Sequence, residues 1–292
     1  MKALIVGASG LVGSHLFNAC KARGWDVFGT YHNFIQAHLT FLELQDVEAV
    51  RSLLQISQPQ IVFLPAYLSN VDYCELHIDE TYKINVVGSL NVANAAKDIG
   101  AKLVFYSSDY VFDGENGPYS EQDIPNPICV YGQQKLEIEQ KITSLSNNHL
   151  ILRITIVYGW ESQGKNFVSR LIKTLDANQT IRVPQDQIGS PTLVNDIAEA
   201  SCRLVEANAT GLFHVTGPDC IDRYHFALEV ARVFNLPKDN IISVLTSEFG
   251  QAARRPLKAG MKSDRLSKTL NWQMKGAFEG LTFLKDNQTI YT

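Results

Sequence analysis

A tyrosine and a lysine four residues apart, Tyr131 and Lys135, are the side chains of this sequence best placed to do chemistry together. Residues four apart lie side by side on one face of a helix. An isolated phenol has a pKa of about 10, and we expect the ammonium of Lys135 to lower it. Tyr131 could then give a proton to a carbonyl oxygen as hydride reaches the carbon, with Ser108 hydrogen-bonded to the same oxygen. The pair alone also fits an exposed Tyr and Lys on a surface helix.

A glycine-rich turn follows the first apolar run of the chain. Residues 2–6 predict a buried strand, residues 7–13 read Gly-Ala-Ser-Gly-Leu-Val-Gly, and a helical pattern follows. Strand, glycine turn and helix in this order are typical of a dinucleotide-binding site. Gly7 permits the tight turn, Gly10 lets a pyrophosphate approach, and Gly13 lets the helix pack closely on the strand. We expect the diphosphate at the helix N-terminus, which favours anions. The alternative is a glycine-rich turn without a ligand.

Signals for strands and helices alternate through residue 157, which is typical of parallel strands joined by right-handed crossovers. We predict an α/β fold, a Rossmann-type doubly wound parallel sheet with a smaller C-terminal α+β substrate domain. Residues 1–160 would form the NAD(P)-binding domain, with segments near 190–217 returning to it. Residues 161–292 would form the smaller substrate-binding domain across an interleaved boundary. The expected strands are residues 2–6, 26–29, 42–44, 61–64, 103–106 and 151–157, and a long helix is expected over residues 80–99.

The residues at the end of the second strand do not decide between NAD and NADP. Proteins selective for NAD usually carry Asp or Glu there, and those selective for NADP an Arg nearby. Residues 30–32, Thr-Tyr-His, provide neither. The missing carboxylate favours NADP, because nothing would repel the additional phosphate. Pro65, Ala66 and Tyr67 follow the fourth strand and Ser108 follows the fifth, at the edge where open α/β sheets bind ligands.

Composition and charge exclude several classes of protein. The 292 residues are 45% hydrophobic and 19% charged, enough for one large domain or a large and a small one. A net charge of −4 without a basic run argues against nucleic-acid binding. Five widely spaced cysteines and scattered histidines favour reduced thiols and predict no metal site. No apolar stretch reaches the roughly 18 residues of a membrane-spanning helix, and the first residues suit a signal peptide poorly, so we expect a cytoplasmic protein.

Three motifs together resemble the extended short-chain dehydrogenase/reductases. They are the Gly-x-x-Gly-x-x-Gly turn, the stretch Ser-Ser-Asp-Tyr-Val-Phe-Asp-Gly over residues 107–114, and Tyr-x-x-x-Lys after a loop with several prolines. Within that superfamily the sequence is most similar to the dTDP-4-dehydrorhamnose reductases, and the similarity runs through most of the chain.

The resemblance implies a role for each matching residue. Ser108, Tyr131 and Lys135 would be catalytic, and Ser108 and Asp109 would contact the substrate, a nucleotide-linked sugar. NADP or NAD in its reduced form would donate hydride. A homodimer is compatible with the resemblance but not required by it. The implied coenzyme-binding residues are Gly7, Ser9, Gly10, Leu11, Val12, Gly13, Thr30, Tyr31, Pro65, Ala66, Tyr67, Tyr106, Tyr131 and Lys135.

Three positions depart from the pattern of these reductases. Ile156 replaces a Trp that packs on the substrate, which weakens the assignment of the sugar more than that of the reaction. His15 replaces a Glu that helps some members to bind magnesium at a dimer interface, and Leu64 replaces an Asn at the end of the fourth strand.

Three functions are compatible with these residues. The first hypothesis is NAD(P)H-dependent reduction of the 4-keto group of a nucleotide-linked 6-deoxy sugar. The second is another sugar-nucleotide epimerase or dehydratase; Asp109 could serve as its acid, but Tyr110 occupies the position of the usual glutamate. The third is a non-catalytic regulatory subunit like that of methionine adenosyltransferase, which resembles these reductases.

Overall fold

A parallel sheet lies at the centre of the computed structural model, which describes residues 1–288. The strands are β1 (Lys2–Ile5), β2 (Asp26–Tyr31), β3 (Thr40–Phe41), β4 (Ile61–Leu64), β5 (Lys102–Ser108), β6 (His149–Ile154), β7 (Val157–Tyr158), β8 (Ile181–Pro184), β9 (Ile188–Gly189), β10 (Thr192–Leu193), β11 (Gly211–His214), β12 (Ile221–Asp222) and β13 (Ile241–Val244). Seven of them pair in parallel in the order β3, β2, β1, β4, β5, β6, β11. This is the order of a doubly wound Rossmann sheet, so the predicted fold class is confirmed.

Helices connect these strands and cover both faces of the sheet. They are α1 (Leu11–Ala22), α2 (Val47–Ser57), α3 (Val71–Leu76), α4 (Ile78–Thr81), α5 (Gly88–Asp98), α6 (Val130–Leu145), α7 (Phe167–Asp176), α8 (Val194–Glu206), α9 (Arg223–Phe234), α10 (Asp264–Leu270) and α11 (Ala277–Asp286). A π-helix, Tyr82–Val87, joins α4 to α5. Short 3-10 helices span Asp109–Val111, Lys238–Asn240 and Thr246–Phe249.

Both faces of the sheet are buried, and successive residues of a strand belong to different buried clusters. In β1, Ala3 and Ile5 belong to one buried cluster and Leu4 to another. Helices α1 and α8 cover the first face, with Leu16 in its cluster, and α5 and α6 cover the second, with Ile138 in its cluster. Successive strand residues point to opposite faces, so a strand covered twice must be an almost continuous apolar run.

Beyond β6 the chain builds a third cluster of buried side chains. It packs α7, α9 and α11 around β8 and β13, which pair in parallel. Between these elements the chain passes back to the first sheet, where β11 pairs with β6. The division into two domains near residue 160 stays a prediction.

The third strand lies two residues before its predicted position. It is Thr40–Phe41 rather than residues 42–44. The carboxylate of Glu43 accepts hydrogen bonds from the backbone of Gln45 and from the His32 ring, at 3.1 and 2.9 Å, and these bonds hold the chain in a turn.

Two further elements are interrupted where a single continuous one was predicted. The helix expected over residues 80–99 contains the π-helix Tyr82–Val87. The sixth strand ends at Ile154, because Ile156 has a φ of 40° and leaves the extended conformation. A β-branched residue in this left-handed region is strained.

A buried ion pair joins α6 to β6. The guanidinium of Arg153 donates through Nε and Nη2 to the two carboxylate oxygens of Glu139, at 2.9 and 2.6 Å. Both side chains are almost fully buried. Such a pair fixes the position of α6, because neither charge has water as an alternative partner.

Removing one partner of this pair should destabilise the protein more than removing both. We expect Glu139→Leu to lower the free energy of unfolding by about 3 kcal/mol, because it leaves the buried charge of Arg153 unpaired. Combining it with Arg153→Met should recover most of that loss, as measured by urea denaturation. Glu48→Leu, which breaks an exposed pair with Arg51, is the control and should cost under about 1 kcal/mol. Equal losses in the single and double variants would contradict this account.

Candidate active site

A cleft of about 570 Å³ opens at the carboxyl ends of the central strands. This volume is in the range of small-ligand sites, which is about 300–1,000 Å³. Most of the residues predicted for the site line it: Gly7, Gly10, Leu11, Val12, Gly13, Pro65, Tyr67, Tyr106, Ser108, Asp109, Tyr131 and Lys135. Ser9, Thr30, Tyr31 and Ala66 do not line it.

Thr30 and Ala66 support the glycine turn from behind. Thr30 Oγ1 accepts a hydrogen bond from the Gly7 backbone N at 3.1 Å. Gly7 has a φ of +94°, and a Cβ there would lie 2.9 Å from Ala66. The turn is therefore fixed by contacts that only glycine permits at this position.

The start of α1 suits a bound diphosphate. Its N-cap, Gly10, offers no side-chain hydrogen bond, and the first turn carries no acidic residue. The first N–H groups of a helix have no partner within it, and they attract anions. A Cβ on Gly13 would collide with the carbonyl oxygen of Gly7, so glycine is needed there for the helix to pack against the turn. These features fit a dinucleotide coenzyme.

The end of β2 carries a carboxylate that does not come from β2 itself. Tyr31 packs its ring edge-on against Phe41, with centroids 5.8 Å apart. The next residue, His32, bonds Glu43 Oε2 through Nε2 at 2.9 Å. Glu43, in the segment after β3, thus brings a carboxylate to His32 that the sequence of β2 did not indicate. The preference for NADP stays a prediction.

Ser108 and Asp109 lie at the end of β5 with their side chains joined. Ser108 Oγ donates to Asp109 Oδ1 at 2.7 Å, and Thr155 Oγ1 donates to Oδ2 at 2.6 Å. Burial raises the pKa of Asp109, and the hydrogen bonds from Thr155 and Ser108 lower it in part. Sequence reasoning missed Thr155. The predicted sixth strand ran through Thr155 to residue 157, whereas β6 ends at Ile154 and leaves Thr155 at the edge of the sheet where ligands bind.

Tyr131 stands between two other tyrosines near the start of α6. The rings of Tyr67 and Tyr110 meet it edge-on, each with its centroid 5.4 Å from that of Tyr131. Burial raises the pKa of Tyr131, hydrogen bonding with Ser108 lowers it by less, and the charge of Asp109 adds to the rise. The phenol therefore keeps its proton at neutral pH.

The amine of Lys135 is buried one helical turn further along α6. Nζ donates to the carbonyl oxygen of Tyr106 at 2.6 Å and lies 3.4 Å from the Tyr67 ring centroid. Its distance to the Tyr131 ring centroid is 5.9 Å. Burial lowers the pKa of Lys135 well below its ordinary value, and the charge of Glu139 opposes this. Because the ammonium is itself disfavoured, it does not offset the burial of Tyr131, and the lowered phenol pKa that we predicted from the sequence is wrong.

Asn85 ties α6 to the segment that carries Tyr67. Its Oδ1 accepts from the Leu68 backbone N at 2.9 Å, and its Nδ2 donates to Gln134 Oε1 at 3.0 Å. Asn85 lies in the π-helix, a feature often found at functional sites. The irregular turn therefore aligns the two sides of the cleft.

A loop after β7 covers the glycine turn. Gln163 Nε2 donates to the carbonyl oxygen of Ser9 at 3.2 Å. Glu161 Oε1 accepts from the backbone N of Lys165 and of Asn166, at 2.8 and 2.7 Å, which holds the loop in shape. Sequence reasoning missed this loop, because its pattern there is irregular.

The remaining lining residues include several that no spacing pattern had indicated. Ile156, which stands where similar reductases have Trp, lines the cleft in its strained conformation. Arg223 reaches the cleft from the start of α9. The others are Ser69, Val71, Ser107, Tyr110, Ile154, Thr155, Val157, Glu161, Gln163, Lys165 and Asn166.

Within residues 1–288 no group of three His, Cys, Asp or Glu side chains could hold a metal ion. The helices of this part of the chain include none that is long and apolar enough to cross a membrane.

The sequence matches a known family. The profile of the family described as RmlD substrate binding domain matches residues 1–284. The chain belongs to this family. The resemblance inferred from the motifs is thereby confirmed.

Solved structures of this family are similar over nearly the whole chain. A dTDP-4-dehydrorhamnose reductase from Bacillus anthracis, in complex with NADP, is 31% identical, with a TM-score of 0.91 over 98% of this chain and 99% of that chain. The orthologous reductase from Clostridium acetobutylicum is 31% identical, with a TM-score of 0.89 over 99% of this chain and 100% of that one. A UDP-glucose 4-epimerase from Thermotoga maritima, 19% identical with a TM-score of 0.85 over 99% of this chain and 100% of that chain, shares the fold.

Similar proteins of known name fall into two groups. The spore coat polysaccharide biosynthesis protein SpsK of Bacillus subtilis is 35% identical over 256 residues, 87% of each chain. The methionine adenosyltransferase 2 subunit beta of Xenopus tropicalis is 31% identical over 274 residues, 91% of this chain and 82% of that protein.

Replacing Lys135 by methionine should stabilise the protein at neutral pH. The pKa of Lys135 is depressed in the folded state, so between that value and the unfolded value of about 10.4 the unfolded chain binds more protons. The stability of the unmodified protein therefore rises with pH through this range. We expect Lys135→Met to raise the free energy of unfolding by about 1 kcal/mol at neutral pH.

The advantage of the methionine variant should shrink as the pH approaches about 10, as urea unfolding at a series of pH values would measure. Lys141→Met is the matched control on the same helix, since Lys141 is exposed and paired with Glu137. A variant less stable than the unmodified protein, or an advantage independent of pH, would contradict the burial argument.

Proposed function

We propose that this protein uses NAD(P)H to reduce the 4-keto group of a nucleotide-linked 6-deoxy sugar. The observation that carries the proposal is the neutral phenol of Tyr131, grouped with Ser108 and Lys135 in the cleft that also holds the glycine turn. A carbonyl reductase needs a proton donor at its carbonyl oxygen, and a protonated phenol is one.

The side chains of the cleft divide the work of the reaction. Hydride for the carbonyl carbon would come from a dihydronicotinamide bound in the cleft. Tyr131 Oη gives its proton to the carbonyl oxygen, which becomes a hydroxyl, and the phenolate left behind regains a proton from solvent. The amine of Lys135, close to the ring, favours that phenolate once it takes up a proton of its own. The N-terminus of α1 binds the coenzyme diphosphate.

Ser108 must change its hydrogen bond to take part. Its single proton is donated to Asp109 Oδ1 in the structure. A hydroxyl can rotate, so Ser108 can redirect this proton to the carbonyl oxygen of the substrate when that oxygen gains charge. A preorganised donor of this kind commonly contributes about 2.7–4 kcal/mol at the transition state.

The protonated phenol of Tyr131 is the form that the reduction of a ketone requires. Oxidation of an alcohol requires the phenolate as a base, whereas reduction of a ketone requires the phenol as an acid. Burial stabilises the phenol. The named reductases from Bacillus anthracis and Clostridium acetobutylicum support the same reaction class for this chain, and the bound NADP of the former supports the coenzyme.

Two other functions are distinguishable by their chemistry. A dehydratase needs an additional base beside Ser108, and the neighbouring position holds Tyr110, whose pKa burial raises to about 12. A regulatory role is favoured by the similarity to methionine adenosyltransferase 2 subunit beta along 91% of this chain. That role would use the cleft for binding rather than turnover.

Incubation with a panel of nucleotide-linked 4-keto sugars, with NADPH and NADH in turn, tests the three functions. Net oxidation of the coenzyme together with a 4-hydroxy product supports the reductase. Conversion of a sugar nucleotide without net oxidation supports an epimerase or dehydratase. Binding of a methionine adenosyltransferase with no turnover of any sugar supports the regulatory role, and both last results contradict the reductase.

Tyr131→Phe should lower the rate of sugar reduction by about 100- to 10,000-fold, because it removes the proton donor. The affinity for NADPH, measured from coenzyme fluorescence, should change little, since the ring and its two aromatic contacts are kept. Tyr82→Phe is the matched control, because it removes a phenol that bonds Glu137 outside the cleft. A Tyr131→Phe variant with nearly unchanged turnover would remove Tyr131 from the mechanism.

A further inference from the structure

Arg223 is delivered to the cleft from the third cluster of the protein. It is the first residue of α9, and its backbone N donates to the carbonyl oxygen of Gln187 at 3.0 Å. The N-cap Asp222 accepts from the His225 backbone N at 2.9 Å. Among the lining residues within 1–288, Arg223 is the one that follows residue 166. The start of α9 is thus fixed by backbone contacts, and they direct its first side chain into the cleft.

The guanidinium of Arg223 has no hydrogen-bond acceptor among residues 1–288. In the described part of the chain it forms no ion pair or hydrogen bond, and its one ring contact is with Phe167, at 5.6 Å. Two other arginines differ: Arg232, also on α9, pairs with Glu229 at a normal hydrogen-bond distance, and Arg255 pairs with Asp72 at 2.7 Å. A guanidinium has five N–H donors in a fixed plane, so all those of Arg223 remain for a ligand.

Asp109, a carboxylate of the cleft, forms no ion pair with Arg223 in the described part of the chain. Both oxygens of Asp109 already accept short hydrogen bonds, from Ser108 and from Thr155. The charge of Arg223 nevertheless reaches this region, since it lowers the pKa of Asp109 and of Tyr110 against the effect of burial. The cation therefore acts in the part of the cleft that holds Asp109 and Tyr110.

We propose that Arg223 binds an oxyanion of the substrate, either a carboxylate on the sugar or a phosphate of its nucleotide. The planar fork of arginine matches both groups, which accept two parallel hydrogen bonds from it. This inference rests on the proposed function in one respect, that the ligand is a nucleotide-linked sugar. The site is separate from the N-terminus of α1, which we assign to the coenzyme diphosphate.

Binding of small probes to Arg223→Ala, measured by calorimetry, separates the two sources of the oxyanion. If Arg223 binds phosphate, the variant should bind UDP and dTDP about 10- to 100-fold more weakly, with uridine and thymidine unchanged. If it binds a carboxylate, UDP and UDP-glucose should be unaffected, and UDP-glucuronate should lose affinity by a similar factor. Arg223→Lys should retain part of the affinity, because it keeps the charge and loses the fork.

Arg232→Ala is the matched control, since it removes a guanidinium from the same helix but not from the cleft. A loss of probe affinity as large in this control would overturn the proposal, as would unchanged affinity of Arg223→Ala for every anionic probe. An unmodified protein that binds no anionic probe more tightly than its neutral counterpart would overturn it too. Titration of all variants with NADPH and NADH makes failure of the proposed function separately visible, because the coenzyme affinity should not depend on Arg223.

Discussion

The hydrogen bond from Lys135 Nζ to the carbonyl oxygen of Tyr106 connects the parts of the cleft. It fixes α6 against β5, so that Tyr131 and Ser108 meet at one edge of the sheet. It also buries the amine among aromatic rings, away from the water that would stabilise its charge. The same exclusion of water raises the pKa of Tyr131 and lowers that of Lys135. One packing contact thus sets both the geometry and the protonation of the pair.

Two features of the cleft destabilise the fold, and the burial of apolar side chains in the cores offsets them. Lys135 is buried without a carboxylate partner at its amine, and Ile156 holds a φ of 40° that β-branched residues avoid. Arg153 and Glu139 also form a buried ion pair, which fixes the position of α6. Strain and buried charge therefore concentrate where α6 and the strand ends face the ligand, as expected where function opposes stability.

Local sequence patterns predicted much of the fold, whereas contacts between residues far apart in the chain could not be predicted. Residues 61–64 form an apolar run between Pro59 and Pro65, and β4 has those bounds. Glycine spacing likewise predicted the turn at Gly7. Glu43, which lies against His32, and Arg223, which lines the cleft, are in contrast placed by strand pairing and helix packing that no residue spacing encodes. The pKa of Tyr131 was predicted to fall, but it rises. The sequence shows the charged neighbour Lys135 but not the loss of water around both groups.

The hydrogen bond from Ser108 to Asp109 links the charge of Arg223 to the reduction of the substrate. Burial already favours the neutral form of Asp109, and the charge of Arg223 is one of the effects opposing it. An oxyanion paired with Arg223 would cancel that opposition, and the pKa of Asp109 would rise further. A protonated carboxyl accepts a hydrogen bond less strongly than a carboxylate, so the hydroxyl of Ser108 would be freed to turn toward the carbonyl oxygen. Occupation of the cleft by an anionic substrate would in this way complete the set of donors that its reduction requires.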